Sequence, residues 1–252
     1  MITCASEKNG TSDYEFCIVV PIYNEQDNIL RLETELSAYL QRASVHTCVL
    51  MVDDGSRDDS PARIASVCQR HSDFFYISFA ANCGLSAAIK AGIDYCQSRL
   101  VGYIDADLQT TPEDFELLLP HAAEHELVTG IRVGRKDTWW KRRQSRIANS
   151  FRRMMTGDTA QDTGCPLKVM HTDAAQDIPF FRGLHRFLPA MILLQGGSVE
   201  QVPVRHFPRT AGESKFSMRN RFWGPLADCF AYRWMRSRYI RYTVSDSNLQ
   251  NH

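Results

Sequence analysis

Four short apolar runs, each followed by a polar cluster and then by a helical pattern, organise the first half of this 252-residue chain. Phe16-Cys17-Ile18-Val19-Val20-Pro21-Ile22 is continuous and rich in β-branched residues, the composition of a strand covered on both faces. The polar stretch Tyr23 to Asn28 follows it, and Ile29, Leu32, Leu36, Tyr39 and Leu40 then recur at helical spacing. Val45 to Val52 repeats the pattern, ending in Asp53-Asp54-Gly55-Ser56 before a helix through Ile64, Val67 and Cys68. Phe74 to Phe79 ends at Asn82-Cys83-Gly84-Leu85, before a helix carrying Ala87, Ala88, Ala91 and Ile93, and Leu100 to Ile104 ends in Asp105-Ala106-Asp107-Leu108-Gln109. Strands that alternate with helices predict a parallel sheet with helices on both faces. The expected class is α/β.

In open sheets of this kind the ligand crevice lies outside the carboxyl ends of the strands. All four polar clusters fall on that edge. Asp105 and Asp107 are one residue apart, so in an extended segment they point the same way and offer hard oxygen donors to a divalent cation. An isolated Asp-x-Asp also suits a solvated turn; three further polar loops on the same edge favour a site. Thr111-Pro112-Glu113-Asp114 predicts a helix start, with Thr111 as N-cap, Pro112 at the first helical position and Asp114 completing an approximate capping box. No Gly-x-Gly-x-x-Gly follows the first strand, and the first turn is acidic, so a pyrophosphate bound here needs a metal.

Charge separates the two halves. The 29 basic and 29 acidic residues cancel, yet carboxylates concentrate in the first half and arginines in the second. Residues 1–14 read as a loose polar leader with no signal peptide, and no apolar run approaches the length of a membrane span, which predicts a cytoplasmic protein. Eight cysteines without a close Cys-x-x-Cys pair read as reduced thiols, and the histidines lack ligand spacing. After a strand over Leu127 to Ile131, a basic run begins at Arg132 and contains Trp139-Trp140. Indole rings favour the layer between water and lipid, so a phosphate monoester on a lipid suits both features. Nucleic acid is disfavoured by the zero net charge and the lack of a nucleic-acid motif. In Asp162-Thr163-Gly164 a glycine among small residues allows close backbone approach, and Val199 to Phe207 alternates like a late strand. From Met218 to Tyr242, Phe222, Trp223, Leu226, Phe230 and Trp234 recur at helical spacing against six arginines. This pattern predicts an amphipathic helix on an anionic membrane surface, or one packed on the core or on a second subunit of a homo-oligomer.

Val19-Val20-Pro21-Ile22-Tyr23-Asn24-Glu25, Val52-Asp53-Asp54-Gly55-Ser56, Asn82-Cys83-Gly84-Leu85 and Asp105-Ala106-Asp107-Leu108-Gln109 together resemble glycosyltransferase family 2. The nearer likeness is to its dolichol-phosphate mannose synthase and undecaprenyl-phosphate glycosyltransferase branch. The resemblance implies a Rossmann-like GT-A fold with a mostly parallel sheet over residues 15–217, followed by an amphipathic helical tail over 218–252. It implies that Pro21, Tyr23 and Glu25 line a nucleoside pocket with Asp53 on the base and Asp54 and Asn82 in the donor site. Asp105, Asp107 and Gln109 would hold Mg²⁺ or Mn²⁺ on the diphosphate of a nucleotide-sugar, and Arg209 and Lys215 of a lid over Pro208 to Phe216 would contact that diphosphate. Arg132, Arg142, Arg143, Ser145 and Arg146 would bind an acceptor phosphate. Asp107, Asp162, Arg142 and Arg143 would carry the catalytic roles, with Asp162 orienting donor or acceptor. Asp162 is not assigned as a base, because a phosphate dianion is already a competent nucleophile. One departure is visible: many relatives carry a basic residue just before the asparagine matched by Asn82, where this chain has Ala80-Ala81. The implied activity is inverting, metal-dependent transfer from a UDP- or GDP-sugar to a polyprenyl phosphate by a peripheral protein at the cytoplasmic membrane face. Transfer to a sugar hydroxyl, or silent binding of a nucleotide-sugar or lipid, are the alternatives.

Overall fold

The computed structural model describes residues 10–133, 150–207, 220–240 and 245–246. The strands are β1 (Phe16–Ile22), β2 (Thr47–Asp53), β3 (Phe74–Ser78), β4 (Leu100–Tyr103), β5 (Leu127–Arg132), β6 (Lys168–His171) and β7 (Val199–Val204). They form one sheet in the order β3-β2-β1-β4-β6-β5-β7. The β1–β2, β1–β4, β2–β3 and β5–β7 pairs are parallel, whereas β6 runs antiparallel to both β4 and β5. The helices are α1 (Ile29–Leu40), α2 (Ser60–Arg70), α3 (Leu85–Tyr95), α4 (Phe115–Leu118), α5 (150–156), α6 (Thr172–Gln176), α7 (Leu188–Gln195) and α8 (Asn220–Arg238).

Alternation along each strand divides the core between the two faces of the sheet. Phe16, Ile18, Val20 and Ile22 of β1 pack with Leu32 and Leu36 of α1, Ile64 of α2 and Phe115 of α4. Cys17 and Val19 face the other way, toward Ala88 and Ile89 of α3, Met191 of α7 and Tyr232 of α8. Helices therefore cover both faces, as the alternation of runs predicts. The seven described cysteines are free, and all but Cys83 are buried.

Three expectations change. The sequence pattern predicts no strand over Lys168–His171, yet β6 sits between β4 and β5 and carries the segment from Asp162 to the crevice edge. Because β6 is antiparallel, its first residue lies at the edge where its neighbours end. The late strand stops at Val204 because Arg205 turns to Asp114, whose carboxylate accepts from the Arg205 backbone N–H at 2.7 Å and from its Nε at 2.8 Å. Asp114 is thereby taken out of the expected capping box. Residues Pro112–Asp114 form a 3-10 turn, and the Thr111 hydroxyl donates to Glu113 instead of capping.

The predicted tail helix is present as α8, but the residues it buries are not those of the predicted stripe. Cys229 and Tyr232 are buried on the core, with Tyr232 Oη donating to the Ala190 carbonyl at 3.1 Å. Phe230 and Trp234, one turn apart, remain 57% and 66% exposed. Among the described residues no helix is long and apolar enough to cross a membrane.

Candidate active site

The first two polar loops are laced together. Asn24, in the left-handed region at φ 50, donates its N–H to Ser56 Oγ at 2.9 Å and accepts from the Arg57 N–H at 2.8 Å. Glu25 N donates to Ser60 Oγ at 3.0 Å, which sets Tyr23 and Glu25, both half-buried, on the rim beside buried Pro21. Asp53 closes β2 and is only 2% exposed; one carboxylate oxygen accepts from Ser56 N and the other from Ser78 Oγ, each at 3.0 Å. A carboxylate has about four acceptor positions, so these two bonds leave capacity for a base N–H.

Asp54 and Asn82, expected in the donor site, are hydrogen-bonded to each other and hold the third loop. The Asp54 carboxylate accepts from Cys83 N at 2.7 Å, from Gly84 N at 2.9 Å and from Asn82 Nδ2 at 2.8 Å. Both residues are therefore internal braces between the second and third loops. The loops approach so closely that Gly55, at φ 67, has no room for a side chain; a Cβ there would lie 2.4 Å from the Ala81 carbonyl carbon.

The Asp-x-Asp segment is a turn, not the extended stretch that the spacing suggests. Leu108 N donates to the Asp105 carbonyl at 3.2 Å, Gln109 N donates to Asp107 Oδ1 at 3.2 Å, and Leu108 adopts φ 47. A left-handed leucine is strained by about 1–3 kcal/mol, which burial of its side chain in the core offsets. The sidedness still alternates: Asp105, Asp107 and Gln109 are half-buried, while Ala106, Leu108 and Thr110 are buried. Phe207 N donates to the Gln109 carbonyl at 2.8 Å, which brings the end of β7, and with it His206, beside the turn. No ligand spacing in the sequence announces that proximity. Among the described residues no three His, Cys, Asp or Glu side chains are grouped to hold a metal. Two carboxylates with a carboxamide fit Mg²⁺ or Mn²⁺ only as part of an oxygen shell, the remainder falling to phosphate and water.

Arg132 and Asp162 are brought together, but onto each other. Arg132 Nε and Nη2 donate to the two Asp162 carboxylate oxygens at 2.8 Å each, and the Arg132 backbone N–H adds a bond at 3.2 Å. Gly164 permits this, since a Cβ there would stand 3.0 Å from Arg132 Nη2. Burial alone would raise the Asp162 carboxyl, but hydrogen bonds and charge from Arg132 outweigh it and hold the group below its ordinary value. The guanidinium expected on an acceptor phosphate thus has its fork engaged by the carboxylate expected at the reacting centre. Beneath them lies Lys168, fully buried, with Nζ donating to Tyr103 Oη at 3.2 Å and to the Cys165 carbonyl. The sequence reading gives it no role, although a lysine within the apolar run Leu167 to Met170 is a visible anomaly. Arg142, Arg143, Ser145, Arg146, Arg209 and Lys215 lie outside the described residues.

Residues 17–178 match the sequence family described as Glycosyl transferase family 2. The chain belongs to that family. Undecaprenyl-phosphate 4-deoxy-4-formamido-L-arabinose transferase of Sodalis glossinidius is 31% identical over 203 residues, covering 80% of this chain and 62% of the relative. The protein of the same name from Pseudomonas syringae pv. syringae is 32% identical over 202 residues, 79% of this chain and 60% of the relative. The chain thus spans 62% or less of the length of these two relatives. Glucosyl-3-phosphoglycerate synthase from Mycobacterium tuberculosis, crystallised with Mn²⁺, UDP-glucose and phosphoglyceric acid, aligns with TM-score 0.66 at 15% identity over 90% of this chain and 81% of that one. Its complex with phosphoglyceric acid gives TM-score 0.66 at 16% identity, over 88% and 80%. The mostly parallel sheet flanked by helices is the GT-A fold.

In this family 2 chain a half-buried histidine braces the third loop from behind. Ser86, at the start of α3, accepts from Gly183 N at 2.9 Å and is hydrogen-bonded to His185 Nδ1 at 2.8 Å. Burial, then the charges of Arg186 and Lys168, push the imidazole down to about 3. An unfolded histidine takes a proton below about 6.5 while the folded one does not, so stability must fall as pH drops through that interval. Lowering the pH from 7 to 5 is expected to cost about 2 kcal/mol through this group. Urea unfolding at both pH values checks it: the loss should be smaller in His185→Gln by that amount, and equal losses would refute the assignment.

Proposed function

We propose that the protein is an inverting glycosyltransferase that moves a sugar from a UDP- or GDP-sugar to a polyprenyl phosphate, with Mg²⁺ or Mn²⁺ at the donor. The observation that carries this reading is the Asp105–Gln109 turn, which shares one sheet edge with three laced polar loops in a family 2 GT-A chain. The donor class draws support from the Mn²⁺ and UDP-glucose in the related fold, and the acceptor class from the names of the relatives. Tyr23, Glu25 and Asp53 take the nucleoside, and Asp105, Asp107 and Gln109 hold the ion. When bound, that ion supplies Lewis-acid stabilisation of the charge developing on the leaving diphosphate. The acceptor phosphate oxygen forms the new bond to the anomeric carbon as the bond from that carbon to the diphosphate breaks, inverting its configuration. Arg142, Arg143, Ser145 and Arg146 hold that acceptor, and Arg209 and Lys215 close on the diphosphate. The Arg132–Asp162 pair forms the rigid floor that orients both substrates. Incubating the purified protein with Mg²⁺ or Mn²⁺, undecaprenyl phosphate and a panel of UDP- and GDP-sugars tests the reading. A glycolipid and free nucleotide are expected; neither from any donor would overturn it. Transfer to a sugar hydroxyl instead would require a carboxylate base and leave Arg142→Ala and Arg143→Ala nearly silent.

The acceptor implies a peripheral position on the cytoplasmic face of the membrane, and α8 offers the surface for it. Arg236 Nη1 donates to the Thr156 carbonyl at 3.0 Å, setting α8 against α5, and along α8 the exposed Phe230 and Trp234 alternate with exposed Arg233 and Arg238. Apolar groups flanked by cations fit an anionic lipid surface. Replacing Phe230 and Trp234 together by alanine is expected to weaken sedimentation with phosphatidylglycerol vesicles at least tenfold, since each aromatic contributes on the order of 1–2 kcal/mol of apolar burial. Unchanged sedimentation would assign the face to a second copy of the chain instead.

A further inference from the structure

Lys168 stands out among the buried groups that the proposed chemistry leaves unused. It opens β6, and the sheet register places it opposite Tyr103 of β4 on one side and Thr129 of β5 on the other. Tyr103 is two residues before Asp105, so the lysine sits behind the root of the Asp-x-Asp turn. Its Nζ donates to Tyr103 Oη at 3.2 Å and to the Cys165 carbonyl, both neutral oxygens, and stands 5.1 Å from the Tyr103 ring centroid. The charges around it are unevenly spent. Asp162 is doubly hydrogen-bonded to Arg132, so that pair nearly cancels. With that pair spent on itself, Asp105, two residues beyond Tyr103, is the remaining carboxylate whose charge acts on the lysine. Burial holds the lysine pKa below its ordinary value; the nearby Asp162 and Asp105 carboxylates reduce that fall without reversing it.

We propose that Lys168 is a positioning residue for the donor: a buried ammonium, pinned by Tyr103 and the Cys165 carbonyl behind the Asp105 turn, that makes the site favour a nucleoside diphosphate with its divalent ion over the ion alone. The inference rests on the donor reading of the same site. A fixed positive charge behind two carboxylates opposes a bare cation, because like charges repel through the low-dielectric floor. The same charge attracts the diphosphate that arrives with the ion. Loading is thereby coupled, and the open donor site does not fill with metal before the nucleotide is present.

The test uses the full chain and two neutral variants, Lys168→Met and Lys168→Gln, with Lys168→Arg retaining the charge. Binding of Mn²⁺ alone is read from the paramagnetic resonance of the free ion, and binding of UDP or GDP with Mn²⁺ from calorimetry. In the neutral variants the nucleotide should bind roughly tenfold more weakly, while Mn²⁺ alone binds as tightly as in the wild type or more tightly. The Lys168→Arg variant should return nucleotide binding to within about threefold of wild type if charge is what matters. Nucleotide binding unchanged in both neutral variants overturns the proposal. So does a parallel loss of nucleotide and bare ion, which marks a merely structural lysine. A wild-type chain that binds neither nucleotide overturns the donor reading itself, and this inference falls with it.

Discussion

Replacing Asp107 with asparagine is expected to lower turnover by roughly 10²–10³-fold, equivalent to about 3–4 kcal/mol of transition-state stabilisation. The substitution conserves volume, and an asparagine Oδ1 still accepts the bond from Gln109 N that shapes the turn. Leu108 remains in its buried left-handed position, so the loop and the fold persist. What disappears is one of the two formal charges that face the crevice from this turn. The melting temperature should therefore change by less than about 2 °C, while the Mn²⁺ concentration needed for half-maximal turnover rises. Single-turnover rates with saturating donor, measured across a Mn²⁺ titration, separate the two effects. A rate equal to wild type at every Mn²⁺ concentration would remove the ion from this turn.

The parallel half of the fold was legible because its signals are local. Runs of four to seven apolar residues, each followed by a polar loop, mark β1 to β4 without reference to anything distant. The position of β6 is different in kind: a four-residue strand headed by a lysine has little propensity of its own, and pairing with β4 and β5 makes it. Within the site, adjacent residues of one type divide their roles. Asp53 ends β2 and keeps acceptor capacity at the crevice, whereas Asp54 turns to the amides of Cys83 and Gly84. Which aspartate does which depends on where the third loop returns, and no spacing encodes that. Arg132 and Asp162 are thirty residues apart in sequence, and each suggests a separate partner until β6 places them together. Helical spacing in the tail predicts α8 but not its docking, because Tyr232 and Trp234 are equally aromatic and only the core distinguishes them.

Removing Asp162 alone, as Asp162→Ala, is expected to destabilise the protein by about 3–5 kcal/mol, a fall of roughly 6–15 °C in melting temperature for a chain of this size. The cost arises because Arg132 keeps its charge at any accessible pH and would be left in a largely buried position, its fork facing no carboxylate. Replacing both partners, Arg132→Met with Asp162→Leu, should recover most of that stability, since two apolar side chains need no compensating charge. Acid unfolding supplies an independent check on the pair. The Asp162 carboxyl is held below its ordinary value, so its contribution is complete above about pH 4 and is lost only as pH falls through the lower folded value. That component should be absent from the double variant, while the decline from His185 between about pH 6.5 and 3 persists in both. A melting temperature for Asp162→Ala within about 1 °C of wild type would show that the pair is solvated rather than desolvated. Stability and turnover then separate bracing from chemistry: the double variant is expected to fold and remain at least tenfold slow, because an apolar floor cannot orient phosphate groups, whereas full recovery of turnover would reduce the pair to a brace.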